Sequence, residues 1–102
     1  MEKIWFTIAG TKYRHGMDFM EPGMEVTLKK EPENEHDTEA IRVEMEGLGL
    51  VGYVANSTHT RIGESWSAGR IYDRIGESAN GKIKYVLPDG VLCELIQKKD
   101  SE

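Results

Sequence analysis

The sequence predicts a mainly β domain with one or two short helices, its five to six antiparallel strands curled into a small, partly open barrel. Three observations carry that expectation. Apolar residues recur at every second position in short runs, whereas 3.6-residue spacing occurs once. Clusters of Gly, Pro, Asn and Asp punctuate the runs at even intervals. The chain has 102 residues, 38% of them hydrophobic, enough for one core and too few for two.

The elements follow in order. Ile4, Phe6 and Ile8 alternate with Trp5, Thr7 and Ala9, so the first strand is apolar on both faces and central, and Gly10 ends it. Residues 11–23 hold two glycines, a proline, Tyr13 and Phe19, a structured loop with room for one helical turn. The second strand, 25–30, turns Val26 and Leu28 inward. A polar loop leads to the third strand, where Ile41, Val43 and Met45 face the core and Arg42, Glu44 and Glu46 face water. Gly47 and Gly49 turn the chain into the fourth strand, 50–55, a hairpin partner, within which Gly52 signals a bulge or a close backbone approach. Asn56 and Ser57 are cap-type residues, and Ala68, Ile71, Tyr72 and Ile75 place a helix over 67–75. Ile83, Tyr85 and Leu87 alternate in a fifth strand, Pro88-Asp89-Gly90 makes a turn, and 91–96 completes a second hairpin. The order β-β-β-β-α-β-β suits a partly open barrel of oligonucleotide-binding-like (OB-like) shape, and a mixed sheet with the helix on one face would give the same string. A single domain over 1–97, with a polar tail at 98–102, accounts for the whole chain.

Composition narrows the function. The N-terminal apolar run is too short for a secretory signal and carries Glu2, and no apolar segment approaches the roughly 20 residues of a membrane span, so a cytoplasmic protein without membrane contact is expected. The lone cysteine, Cys93, sits in a strand pattern and reads as buried and unreactive. Net charge is −5, and seven acids fall between Glu31 and Glu46, which opposes nonspecific attraction to polyanions. Locally the balance differs, because Lys12, Arg14, Lys29 and Lys30 flank the polar loop.

That loop, within LKKEPENEHDTEAIRV, is the main candidate site. The Glu31-Pro32 pair favours extended geometry and removes a donor, so strand pairing stops and Asn34, His36 and Asp37 leave the ladder. Their donors and acceptors are complementary and suit a small ligand. Asp37 reads equally as a turn cap accepting local N–H groups and as an acceptor for a ligand hydroxyl. Tyr13, between Lys12 and Arg14, is either a loop plug or a base-stacking ring beside phosphate-neutralising cations. Glu31, Glu33 and Glu35 read as a solvated face. His15, His36 and His59 lack metal-ligand spacing, and no nucleophile-elbow or phosphate-loop motif occurs, so no metal, cofactor or catalytic residue is assigned. The chain is expected not to be an enzyme, with a magnesium-dependent phosphoesterase built on Asp37 a distant third reading.

Together, GTKYRHG at 10–16, EVTLKKEPENEHDTEAIRV at 25–43 and GLVGYVAN at 49–56 resemble the HIRAN family. The resemblance is strong over roughly the first 56 residues, and beyond them only the order of elements agrees. It implies an OB-like module, fused in eukaryotes to chromatin-remodelling-type helicases and standing alone in bacteria, that captures the 3′ end of single-stranded DNA. It further implies that Asp37 holds the 3′-hydroxyl, Lys12 contacts phosphate beside Arg14, Tyr13 and His36 stack on bases, and Asn34 serves as the loop amide. Tyr53 and Asn56 stand where the family can carry a phosphate-contacting histidine and lysine, which implies weak binding. The expected function is recognition of single-stranded DNA 3′ ends in repair or replication. The alternative is a protein-interaction domain using the acidic loop or a strand edge.

Overall fold

Alternation of apolar side chains produces six strands and one helix: β1 (Trp5–Ala9), β2 (Glu25–Lys30), β3 (Ile41–Met45), β4 (Gly49–Val54), α1 (Ala68–Tyr72), β5 (Ser78–Leu87) and β6 (Gly90–Ile96). The structure is a computed structural model that describes residues 3–11, 16 and 18–96. Lys12, Tyr13, Arg14 and His15, and with them the proposed tail at 98–102, lie outside the described residues.

The strands form a closed antiparallel ring in the order β1-β4-β3-β2-β5-β6, with β6 returning to β1. A closed ring rather than a partly open one is therefore the arrangement, but one seam is narrow. β1 pairs with β6 from Trp5 to Ile8, whereas it meets β4 only at Ile8 with Val54 and Ala9 with Tyr53. Where β1 and β4 part, the segment after β4 fills the gap. The Ala55 N–H donates to the Thr7 carbonyl at 2.8 Å and the Trp66 N–H to the Trp5 carbonyl at 2.7 Å. Thr7 is fully buried beneath this segment, its hydroxyl 2.9 Å from that of Ser65 and accepting from the Ile62 N–H at 2.9 Å. That covering explains a first strand without a wet face.

The barrel interior is filled by Phe6, Ile8, Leu28, Ile41, Val43, Val51, Ile83 and Val91, joined by Ile71 from α1. Each such side chain contributes about 1.5–3 kcal/mol by leaving water, which is the main support of the fold. Gly52 is required by close approach, since a Cβ there would lie 2.7 Å from the Ala9 carbonyl oxygen, and the β3–β4 register shifts beside it as expected. Cys93 is buried, and desolvation pushes its thiol up to about 12.

Three expectations change. The helix is shorter than 67–75, beginning after its cap Ser67 and ending before Asp73. β5 starts at Ser78, well before Ile83, because its partners β2 and β6 supply the pairing that Ser-Ala-Asn-Gly does not favour by itself. A register irregularity between Ile83 and Tyr85 turns Tyr85 outward, to 56% exposure, where it stacks on Trp5 with ring centroids 6.3 Å apart.

Candidate nucleic-acid interface

Pairing of β2 ends at Lys30, and the loop that follows is tied at its neck by the Glu31 N–H donating to the Ala40 carbonyl at 2.9 Å. Inside the neck, the Asn34 N–H donates to the Glu31 carbonyl at 3.0 Å and the Ala40 N–H to the Asp37 carbonyl at 3.1 Å, giving two successive turns. Asn34 fixes the junction between them. Its Oδ1 accepts from the His36 and Asp37 N–H groups at 2.8 and 3.0 Å, and its Nδ2 donates to Glu31 Oε1 at 3.0 Å. An Asn side chain bonded to the backbone two and three residues on is a local substitute for a ladder.

Glu31 is the hub of this arrangement and not part of a solvated face. Besides Asn34 it accepts from the Tyr53 hydroxyl at 3.0 and 3.1 Å and from Arg42 Nη1 at 3.3 Å. Arg42 Nε also lies 2.8 Å from Glu44 Oε2, an ion pair whose angle does not make a hydrogen bond, and Lys29 approaches Glu44 at 3.2 Å. The outer face of β3 is thus half-buried under paired charge, where the alternation alone predicted open water.

Asp37 is half-buried and held on both sides. Oδ1 accepts from the Glu39 N–H at 2.9 Å, and Oδ2 accepts from Asn56 Nδ2 at 3.3 Å. The other end of Asn56, Oδ1, accepts from the Gly69 N–H at 3.0 Å, so one side chain joins the loop to the start of α1. The N-cap of α1 is Ser67, and Asn56, foreseen as a cap-type residue, instead accepts from the first turn of the helix from thirteen residues away. The adjacent His36 is exposed.

Asn34, His36, Asp37, Tyr53 and Asn56 are therefore brought together by the loop, β4 and α1. The segment carrying Lys12, Tyr13 and Arg14 is entered from the end of β1, where Ala9 pairs with Tyr53. Two shallow clefts of about 510 and 480 Å³ share Lys30 and Pro32, and Lys30 Nζ sits 4.3 Å from the Tyr72 ring centroid. A roomier cleft, about 870 Å³, lies elsewhere, between the end of β1, residues 59–63 and the β5–β6 turn. Among the described residues no three His, Cys, Asp or Glu side chains converge as metal ligands would, and no described helix is long and apolar enough to cross a membrane.

Sequence reasoning missed Glu31 as a fastener, although its place one residue before Pro32 in the motif was a signal. It also missed Trp66 and Arg70. Trp66 is 7% exposed and lies under the Arg70 guanidinium, 3.7 Å from ring centroid to Cζ, with Arg74 at 5.1 Å.

A closed small barrel that presents a tied polar loop beside a helix start defines a class, the β-barrel recognition module. Within that class the assignment is specific: a family model described as the HIRAN domain matches residues 1–86, and the chain belongs to that family. HIRAN domains are in general modules that bind single-stranded DNA. Neither the curated proteins nor the solved structures gave a match to the chain.

Proposed function

We propose that this protein is a noncatalytic cytoplasmic module, one domain over 1–97, that captures the 3′ end of single-stranded DNA at a repair or replication intermediate. The observation that carries the reading is the Asp37 carboxylate, oriented by Glu39 and Asn56 and flanked by the exposed His36 ring. The terminal 3′-hydroxyl donates to Asp37, a base stacks on His36 or Tyr13, and Lys12 and Arg14 neutralise phosphate. Asn34 and Tyr53 act as positioning residues through Glu31, and Asn56 acts by aiming Asp37.

A 3′-phosphate would place negative charge against a half-buried carboxylate, so hydroxyl ends are preferred. Loss of one charge-assisted hydrogen bond at a partly wet site corresponds to about a tenfold preference. Fluorescence anisotropy with matched oligonucleotides ending in 3′-hydroxyl or 3′-phosphate reads it directly. Wild type should prefer the hydroxyl end and Asp37→Ala should bind both ends alike; an unchanged preference in Asp37→Ala overturns the assignment.

The protein-partner alternative keeps the exposed Glu33 and Glu35 as its support. Its strand-edge version is weakened, because every strand of the ring has a neighbour on both sides.

A further inference from the structure

We infer that the Arg70 guanidinium, held over the Trp66 indole at 3.7 Å, is a phosphate-binding group for the same nucleic-acid strand. The inference rests on the single-strand-binding reading and adds a contact on α1 that the loop motif does not contain.

Four features of the molecule point to it. First, Arg70 is exposed although its guanidinium carbon stands 3.7 Å from the centroid of a ring that is 7% exposed, so the cation is braced against the ring and still reachable from solvent. The five donors of a guanidinium form a planar fork matched to phosphate oxygens, and the brace limits the side-chain freedom that binding would otherwise remove. Second, Arg70 is free of acidic competition. Among the described residues Lys29–Glu44, Arg42–Glu31, Arg42–Glu44 and Lys84–Glu94 form ion pairs, whereas neither Glu39 nor Asp73 pairs with Arg70. Third, the position is right. Gly69, the preceding residue, is hydrogen-bonded to Asn56, whose other end holds Asp37. Arg70 thus follows directly on a residue tied to Asp37 through one side chain, which sets it on the element beside the proposed end site. Fourth, the local charge of 66–74, two arginines against Asp73, is positive in a chain of net charge −5. A cation fixed at one place in an acidic domain serves a discrete anionic group better than diffuse attraction does.

An acidic peptide would also meet a cation here, but a planar guanidinium fork suits the tetrahedral phosphodiester repeat, and the family binds single strands. The probes are 5′-fluorescein ten-nucleotide oligothymidines ending in a 3′-hydroxyl or a 3′-phosphate, measured by anisotropy from 50 to 200 mM salt with wild type, Arg70→Gln, Arg70→Lys and Asp37→Ala. One lost phosphate contact on a single strand lowers the slope of log K against log salt by about 0.7, so the Arg70→Gln defect should shrink about 2.6-fold between those salts. Arg70→Lys keeps the charge and should keep the slope while losing a few-fold in affinity. Cooperative melting, followed by tryptophan fluorescence, establishes that each variant is folded, and Arg70→Lys carries the test if Arg70→Gln is not.

A wild-type slope in a folded Arg70→Gln overturns the inference, whatever the end preference. If Arg70→Gln is unfolded, a wild-type affinity in Arg70→Lys overturns it. A lowered slope together with indifference to the 3′ end upholds the Arg70 contact and overturns end capture instead. Absence of binding by wild type at 50 mM salt overturns both.

Discussion

Replacing Glu31 with Ala tests whether the loop is held by one carboxylate. The Glu31 side chain is 20% exposed and receives Tyr53, Asn34 and Arg42. A hydrogen bond to a charged acceptor contributes about 1.5–3 kcal/mol, and at this partly wet position the Tyr53 bond is taken as about 1.5 and the Asn34 bond as about 1. The Arg42 pair adds little, because that side chain is 33% exposed and keeps Glu44. The expected loss is about 2.5 kcal/mol, or about 12 °C in Tm for a domain of this size. Thermal melting of Glu31→Ala, Tyr53→Phe and the double variant measures it, and the cycle should give a coupling of about 1–1.5 kcal/mol between the two side chains. Without Glu31, Asn34 is no longer anchored and the His36–Asp37 backbone loosens, so 3′-end affinity should fall as well. A shift under about 3 °C, or strictly additive single effects, would refute the fastener argument.

Other outcomes follow from the packing and the buried thiol. Gly81→Ala should destabilise by about 1–3 kcal/mol in chemical denaturation, because the new Cβ would lie 2.7 Å from Phe6 Cζ, a ring locked in the core. Gly69→Ala should be near neutral or stabilising by up to about 1 kcal/mol, since its close neighbour is the mobile end of Glu39 and Ala favours a helix. Cys93 should resist an aromatic disulfide reagent at pH 8 in the folded protein and react fully in denaturant; fast reaction in the folded state would contradict its burial. A thiol raised to about 12 in the fold favours folding below the unfolded value near 9, and that support drains away as pH climbs from about 9 towards 12. Cys93→Ala should therefore flatten stability across that window in alkaline melts.

The strands were legible because each buried face is written in period-two alternation, as in Val26-Leu28 and Ile41-Val43. The candidate site was legible as a motif, and the residues between Glu31 and Asp37 do converge. What the pattern concealed was pairing at a distance. Ser78 to Asn80 carry no strand signal and are extended because β2 pairs with all three, joined by β6 from Asn80 on. Tyr85 obeys the alternation until an irregularity in register reverses it. The division of labour inside the loop was equally hidden, since nothing local tells that Asn34 bonds inward to Glu31 while His36 faces out. Arg70 on Trp66 spans only four residues, yet neither stood out, because a helix of five residues is too short for periodicity to show a face.

The family match stops at residue 86, whereas the ring is completed by a strand ending at Ile96. A fragment cut at the boundary of the match would leave Trp5–Ile8 and most of β5 without their partner, two open ladders bearing apolar side chains. Such edges recruit other chains, so the fragment would self-associate rather than report on ligand binding. The same stitching of the first strand to the last delays closure during synthesis until residue 96 has left the ribosome, which makes the final hairpin the step that commits the domain to its shape.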